Sequence, residues 1–192
     1  KVGQKFPLTI KRLGINGEGI GYYKKKITFV EGLLPGEVGL VQVVKAKPNF
    51  IEAKVVKIRE RSKERVKPKC KVYDICGGCQ LQHLNYDAQL LFKSQIVKDA
   101  LTKYAKNIPT KIVKPTIGMD NPWGYRNKNQ FPVQKKGNQL IAGLYEKDSH
   151  QLIDIKKCPV QDKRTIQVTN ELRNILMNLQ VKVCRNPNKE QI

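Results

Sequence analysis

Three cysteines fall within ten residues, in the run Cys70-Lys71-Val72-Tyr73-Asp74-Ile75-Cys76-Gly77-Gly78-Cys79, and a fourth, Cys158, precedes Pro159. This C-x5-C-x2-C loop constrains the fold more than any other feature of the chain. Two cysteines two residues apart can place both sulfurs on one metal centre without strain. The Gly77-Gly78 pair allows a tight turn that aims N–H groups at sulfur, because glycine tolerates φ > 0. Such donors stabilise thiolate charge and tune a cluster. A three-cysteine loop needs a fourth ligand, and a distant cysteine followed by proline is common at cluster sites. Cys158 is that candidate, and it would clamp residues 151–159 back onto the loop. Zinc sites with four cysteines usually use two short knuckles. Only one is present here, so the spacing favours an iron–sulfur cluster, with a structural four-cysteine zinc site as the alternative. A reducing compartment argues against disulfides. Cys184 has no partner at ligand spacing and reads as a free thiol.

Charge sets the next bound. Lys and Arg number 37 against 16 Asp and Glu, a formal net charge of +21. Self-repulsion on that scale opposes compaction unless a polyanion or salt screens it. Nucleic acid is the usual partner, because each neutralised phosphate releases condensed counterions. A membrane partner is not expected: no run approaches about 18 apolar residues, and no basic helix with a strong apolar face is evident. The start, Lys1-Val2-Gly3-Gln4-Lys5, has no apolar signal segment, which points to the cytoplasm.

The first sixty residues read as all-β. Strands are expected over 6–10, 27–30, 38–44 and 51–58. Turn signals separate them at Gly14, Asn16-Gly17, Gly19, Gly21, Pro35-Gly36 and Pro48-Asn49. Short strands at this spacing suggest an OB-like barrel. A basic linker follows, and Pro68 breaks it before the first cysteine. Residues 85–105 form the clearest helix, capped by Asn85, with Leu90, Val97, Leu101 and Tyr104 as its apolar stripe. Strands are expected over 129–134, 139–145 and 151–155, the first two joined through Lys136-Gly137-Asn138. Asp162 caps a last helix with the stripe Val168, Leu172, Ile175, Leu176 and Leu179, and the tail 185–189 is polar.

The run Cys70-x5-Cys76-Gly77-Gly78-Cys79-Gln80-x-Gln82-His83, then a helix, Tyr125-Arg126-Asn127-Lys128 and Cys158-Pro159, resembles the RNA 5-methyluridine methyltransferases. More narrowly it resembles the bacterial 23S ribosomal RNA uracil-C5 enzymes. The stretch from Gly14 to Pro35-Gly36-Glu37 is similar to a TRAM domain, the small β-barrel that begins those enzymes. The resemblance implies a 4Fe-4S cluster on Cys70, Cys76, Cys79 and Cys158, S-adenosyl-L-methionine as methyl donor, and RNA, in particular 23S rRNA, as partner. It also implies a cysteine thiolate that attacks C6 of a flipped-out uracil, so that C5 becomes nucleophilic enough to take the methyl group.

In that family the methyl-donor site, the nucleophile and the base lie in a C-terminal Rossmann-like domain. No strand leading into a glycine-rich turn, and no Asp-Pro-Pro-Arg before a cysteine, occurs here. The expected fold is therefore α+β, mainly β: a TRAM barrel over 1–60, a basic linker and iron–sulfur loop over 61–84, and a helix plus small central α+β domain over 85–192. The C-terminal Rossmann-like methyltransferase domain is expected to be absent, no catalytic residue is assigned in this chain, and the piece alone is expected to be a monomer that does not methylate. The rival reading is a stand-alone RNA-binding module with structural zinc.

RNA contacts are expected at Arg126, which matches the family's arginine after tyrosine, and at Lys128 and Phe131. Arg offers a planar fork to phosphate or a base edge, and Phe131 could stack on a splayed base or belong to a core. Lys24, Lys25, Lys26, Lys47 and Phe50 lie at barrel turns, where OB-like domains meet nucleic acid.

Overall fold

The computed structural model describes residues 1–137 and 139–182. The expected turn residue Asn138, the thiol Cys184 and the tail 185–189 lie outside them. The chain is α+β and mainly β, and it divides into two compact units, 1–67 with 80–118, and 68–79 with 119–192.

The first unit is a barrel. Strands β1 (Lys5–Thr9), β2 (Arg12–Leu13), β3 (Gly19–Tyr23), β4 (Lys26–Val30), β5 (Val38–Ala46) and β6 (Phe50–Glu60) form one sheet in the order β1-β5-β6-β4-β3-β2. Residues 5–13 behave as one bent strand. Its first half pairs with β5 and its second with β3, so both edges of the sheet belong to one stretch of chain and the sheet closes. Alternation along the strands turns Phe6, Leu8, Val30, Val41, Val43, Ile51 and Ala53 inward with Ile10 and Leu33.

Two of these strands, β2 and β3, occupy the segment expected to be turns. A side chain at Gly19 would stand 2.7 Å from the Leu33 carbonyl oxygen, and one at Gly21 would stand 2.6 Å from that of Thr9. These glycines serve a close backbone approach inside a strand rather than a turn.

Helix α1 (Tyr86–Tyr104) belongs to this unit. The Asn85 side chain accepts from the Ala88 amide at 2.8 Å, as a cap should. The expected apolar stripe is only partly covered: Leu90 and Leu101 are half-buried, Val97 and Tyr104 are exposed, and Ala88 and Phe92 pack against Leu13, Leu34 and Leu84.

In the second unit, β7 (Val133–Lys136), β8 (Gln139–Tyr145) and β9 (Leu152–Asp154) form an antiparallel sheet, with α2 (Lys163–Asn178) against β8. Strand β7 starts after Pro132, four residues later than expected. Proline has no N–H for a ladder, and only its carbonyl is used, accepting from Gly143 at 3.3 Å. The Asp162 cap of α2 is present. The expected stripe of α2 is again not the buried face. Val168, Leu172, Ile175 and Leu179 are exposed, and Ile166 and Arg173 are buried instead. Arg173 reaches Asp154 and Asn170. Among the described residues no helix is long and apolar enough to cross a membrane.

Candidate cysteine centre and nucleic-acid surface

All four candidate ligands lie in the second unit. The loop begins as a turn, with the Tyr73 amide donating to Cys70 O and the Cys76 amide to Val72 O at 2.8 Å. It then runs beside the β8–β9 hairpin. Gly77 N donates to Tyr145 O at 3.2 Å, Lys147 N donates to Ile75 O at 2.9 Å, and Cys76 bridges Glu146. Gly78 N points at Cys76 Sγ at 3.4 Å.

The expected role of the glycine pair needs one correction. Neither Gly77 nor Gly78 has positive φ. What Gly78 supplies is space: a Cβ there would stand 2.8 Å from Leu144 Cδ1 and 3.4 Å from the Cys76 sulfur.

All four cysteines are thiols rather than disulfides, and all are half-buried. Burial pushes the Cys70 thiol up, as do the neighbouring charges of Cys158, Cys76 and Cys79, against one amide donor from Val72. Cys76 is raised by burial and then by Cys79 and Cys158, against the Gly78 amide. Among the described residues no group of three or more His, Cys, Asp or Glu side chains converges at ligand spacing. The electrostatic influence of Cys158, Cys76 and Cys79 on Cys70 is consistent with thiols in one region of the second unit. Thiols are soft donors, the type that a thiolate-bound metal centre uses.

The segment after Cys158 forms a ladder with the segment around Arg126. Gly124 N donates to Pro159 O, Arg126 N to Val160 O, and Asp162 N to Arg126 O, each at 2.9 Å. Tyr125 to Lys128 therefore does not open a strand; Arg126 makes a single parallel bridge to Gln161. The Arg126 side chain is exposed, and no hydrogen bond or ion pair to it occurs among the described residues. Gln161, 3% exposed beside it, keeps a buried Oε1 with no partner among the described atoms. Lys128 is exposed and Phe131 is half-buried.

Sequence reasoning did not assign a role to Trp123, whose ring lies 4.6 Å from Lys69 Nζ, or to Tyr125, which is exposed. Their position beside Arg126 was the available signal. His83 is buried, so it belongs to the interior of the first unit.

In the barrel, Lys24, Lys25 and Lys47 are exposed. Lys26 is half-buried and its Nζ donates to Lys47 O at 3.3 Å. Phe50 is half-buried, edge-on to Phe29.

Residues 1–56 match the family model of the TRAM domain. The chain is 52% identical over 183 residues to a Bacillus anthracis protein named as an uncharacterized RNA methyltransferase, covering 95% of this chain and 40% of that protein. A Listeria monocytogenes protein of the same description is 53% identical over 176 residues, covering 91% of this chain and 38% of its own length. The crystal structure of Pyrococcus abyssi tRNA (uracil-54, C5)-methyltransferase in complex with S-adenosyl-L-homocysteine shares the fold, with a TM-score of 0.60 at 24% identity over 96% of this chain and 40% of that one. A closed barrel that matches the TRAM model is thus combined with a cysteine-bearing α+β unit in one chain. Nearly the whole chain is similar to part of these proteins named RNA methyltransferases, and its first 56 residues match the TRAM domain. It spans about two-fifths of the length of the curated relatives it matches.

Proposed function

We propose that this chain is the RNA-recognition and iron–sulfur portion of an S-adenosyl-L-methionine-dependent 23S rRNA uracil-C5 methyltransferase that makes 5-methyluridine. One observation supports the reading: four half-buried thiols lie in the same unit as the exposed Arg126. Relatives named RNA methyltransferases supply the reaction class. The uracil-C5 assignment draws on the cysteine-loop resemblance and on the fold shared with the archaeal tRNA enzyme.

Cys70, Cys76, Cys79 and Cys158 would hold a 4Fe-4S cluster. Four protein ligands close such a cluster, so its contribution is a cross-link between the loop and the segment ending at Cys158. Arg126, with Lys128 and Phe131 near it in sequence, would meet RNA. Methyl-donor binding and the nucleophile are assigned to the part of the longer relatives that this chain does not span. We assign it to the cytoplasm as a monomer.

Purification without air tests the reading. A brown protein with broad visible absorption and about four iron and four sulfide per chain is expected. A colourless protein with one zinc per chain would establish the structural-zinc module instead. Filter binding against 23S rRNA fragments and transfer RNA decides the RNA class, with tighter 23S binding expected.

A further inference from the structure

The β3–β4 hairpin turns through Lys24 and Lys25, and both have left-handed backbone angles, φ 48° and 65°. A two-residue turn of this hand suits the twist of the strands, and Asn-Gly is its favoured sequence. Lysine carries a conformational cost there that glycine avoids. Both lysines are exposed, so no packing explains why they stand at the tip. Strain of this kind is held where function needs it.

A cleft of about 680 Å³ opens beside this tip, lined by Gln4, Tyr23, Lys24, Lys26, Val43 and Ile51 among others. Its floor is apolar, since Val43 and Ile51 belong to the barrel core. Its one aromatic wall is fixed: the Tyr23 ring stacks on Phe6 at 3.7 Å, and its hydroxyl accepts from Gln4 Nε2 at 3.2 Å. Lys26 is held by its bond to Lys47 O, and Lys24 Nζ lies 5.6 Å from the Tyr23 ring centre. An open cleft with one aromatic wall and two ammonium groups in its lining complements a base joined to phosphate. A duplex keeps its bases stacked inside, so only an unpaired nucleotide can offer one.

We propose that this cleft takes one unpaired nucleotide of a single-stranded RNA segment, its base beside Tyr23 and its phosphates on Lys24 and Lys26. The proposal rests on the RNA-binding reading above.

The test uses the whole chain and three labelled probes: hexauridylate, an abasic hexamer with the same phosphates, and a duplex of the same length. The variant is Lys24→Asn with Lys25→Gly, which relieves the turn while removing its charge. The expected result is a raised melting temperature together with at least about fivefold weaker hexauridylate binding. The salt slope should shrink by about 0.7 for each phosphate no longer neutralised. The unmodified chain should bind the abasic hexamer at least about fivefold more weakly than hexauridylate, and should prefer hexauridylate to the duplex. Because a more stable variant has not misfolded, its weaker binding reflects the missing ammonium groups. Unchanged affinity in the variant, or equal binding of abasic and uridylate hexamers, overturns the cleft proposal while leaving RNA binding intact. Binding to none of the three probes overturns the RNA-binding reading and the cleft with it.

Discussion

Arg65 grips the carboxylate of Glu37 with two hydrogen bonds, Nε to Oε1 at 2.5 Å and Nη2 to Oε2 at 2.7 Å, although the Glu37 side chain is fully buried. The amides of Leu34 and Ser62 donate to the same carboxylate at 2.8 and 3.2 Å, and Arg65 Nη2 also reaches Gly32 O at 2.6 Å. A buried carboxylate is tolerated only when its lone pairs are met by donors. Here they tie the connection after β4 to the chain leaving β6. Arg65→Met should therefore cost about 3–5 kcal/mol, because it leaves a buried charge unpaired. Urea unfolding followed by far-UV circular dichroism measures the loss, and an unchanged midpoint would show that the pair is not a clamp.

The same carboxylate gives the barrel an acid limit. Burial acts to raise the Glu37 pKa, but the Arg65 hydrogen bonds, the Leu34 and Ser62 amides and the Arg65 charge outweigh it and hold Glu37 below the usual glutamate range. A group depressed on folding contributes stability above its unfolded value of about 4.3. That stability is lost as pH falls through the lower native value. Melting temperature should thus decline below about pH 4, and Glu37→Gln should flatten that decline while lowering stability at pH 7.

Gly143 is the tightest point of the second unit. A Cβ there would overlap the Ile153 carbonyl oxygen and stand 2.8 Å from Ile155 Cγ1. The overlapped atom is backbone in the partner strand, so rotamer changes cannot relieve it. Gly143→Ala should cost about 1–3 kcal/mol or more. Trp123, the single tryptophan, lies in this unit. Its fluorescence should report an early transition that the wild-type chain lacks.

Cys158→Ser removes one of the four thiolates. Iron and sulfide content after anaerobic purification should fall to a small fraction of the wild-type values, because ligation and local folding are coupled. Full retention of both would take Cys158 out of the ligand set.

Arg126→Ala should leave the melting temperature unchanged, since the exposed side chain has no described partner to lose. RNA affinity should fall. A base-edge contact predicts a loss of about 1–3 kcal/mol that depends on sequence. A phosphate contact predicts a uniform loss with a salt slope reduced by about 1. Binding titrations at several salt concentrations distinguish the two, and unaltered binding would remove Arg126 from the RNA surface.

Much of the architecture is legible in the amino-acid sequence. The helix caps at Asn85 and Asp162, the strand alternation in the barrel and the cysteine loop are encoded within a few residues. Physics that acts over one turn or one pleat can be read from a run of letters. The rest was decided elsewhere. Gly19 and Gly21 look like turn residues until the Leu33 and Thr9 carbonyls are seen against them. The stripe on α2 marks an apolar face, but the sheet takes Ile166 and Arg173 instead.

The cysteine loop shows both sides. Its spacing suggests a thiolate centre and offers Cys158 as the candidate distant partner. The spacing could not show that Gly78 is there for space rather than for positive φ, since that depends on Leu144 in another element. Nor could it place Arg126 one backbone ladder away from the segment that follows Cys158. The sequence determined which groups carry chemistry, because side-chain identity and local spacing set donor type and charge. Only the tertiary structure decided which of them are neighbours and which faces stay open, because those follow from packing between segments far apart in the chain.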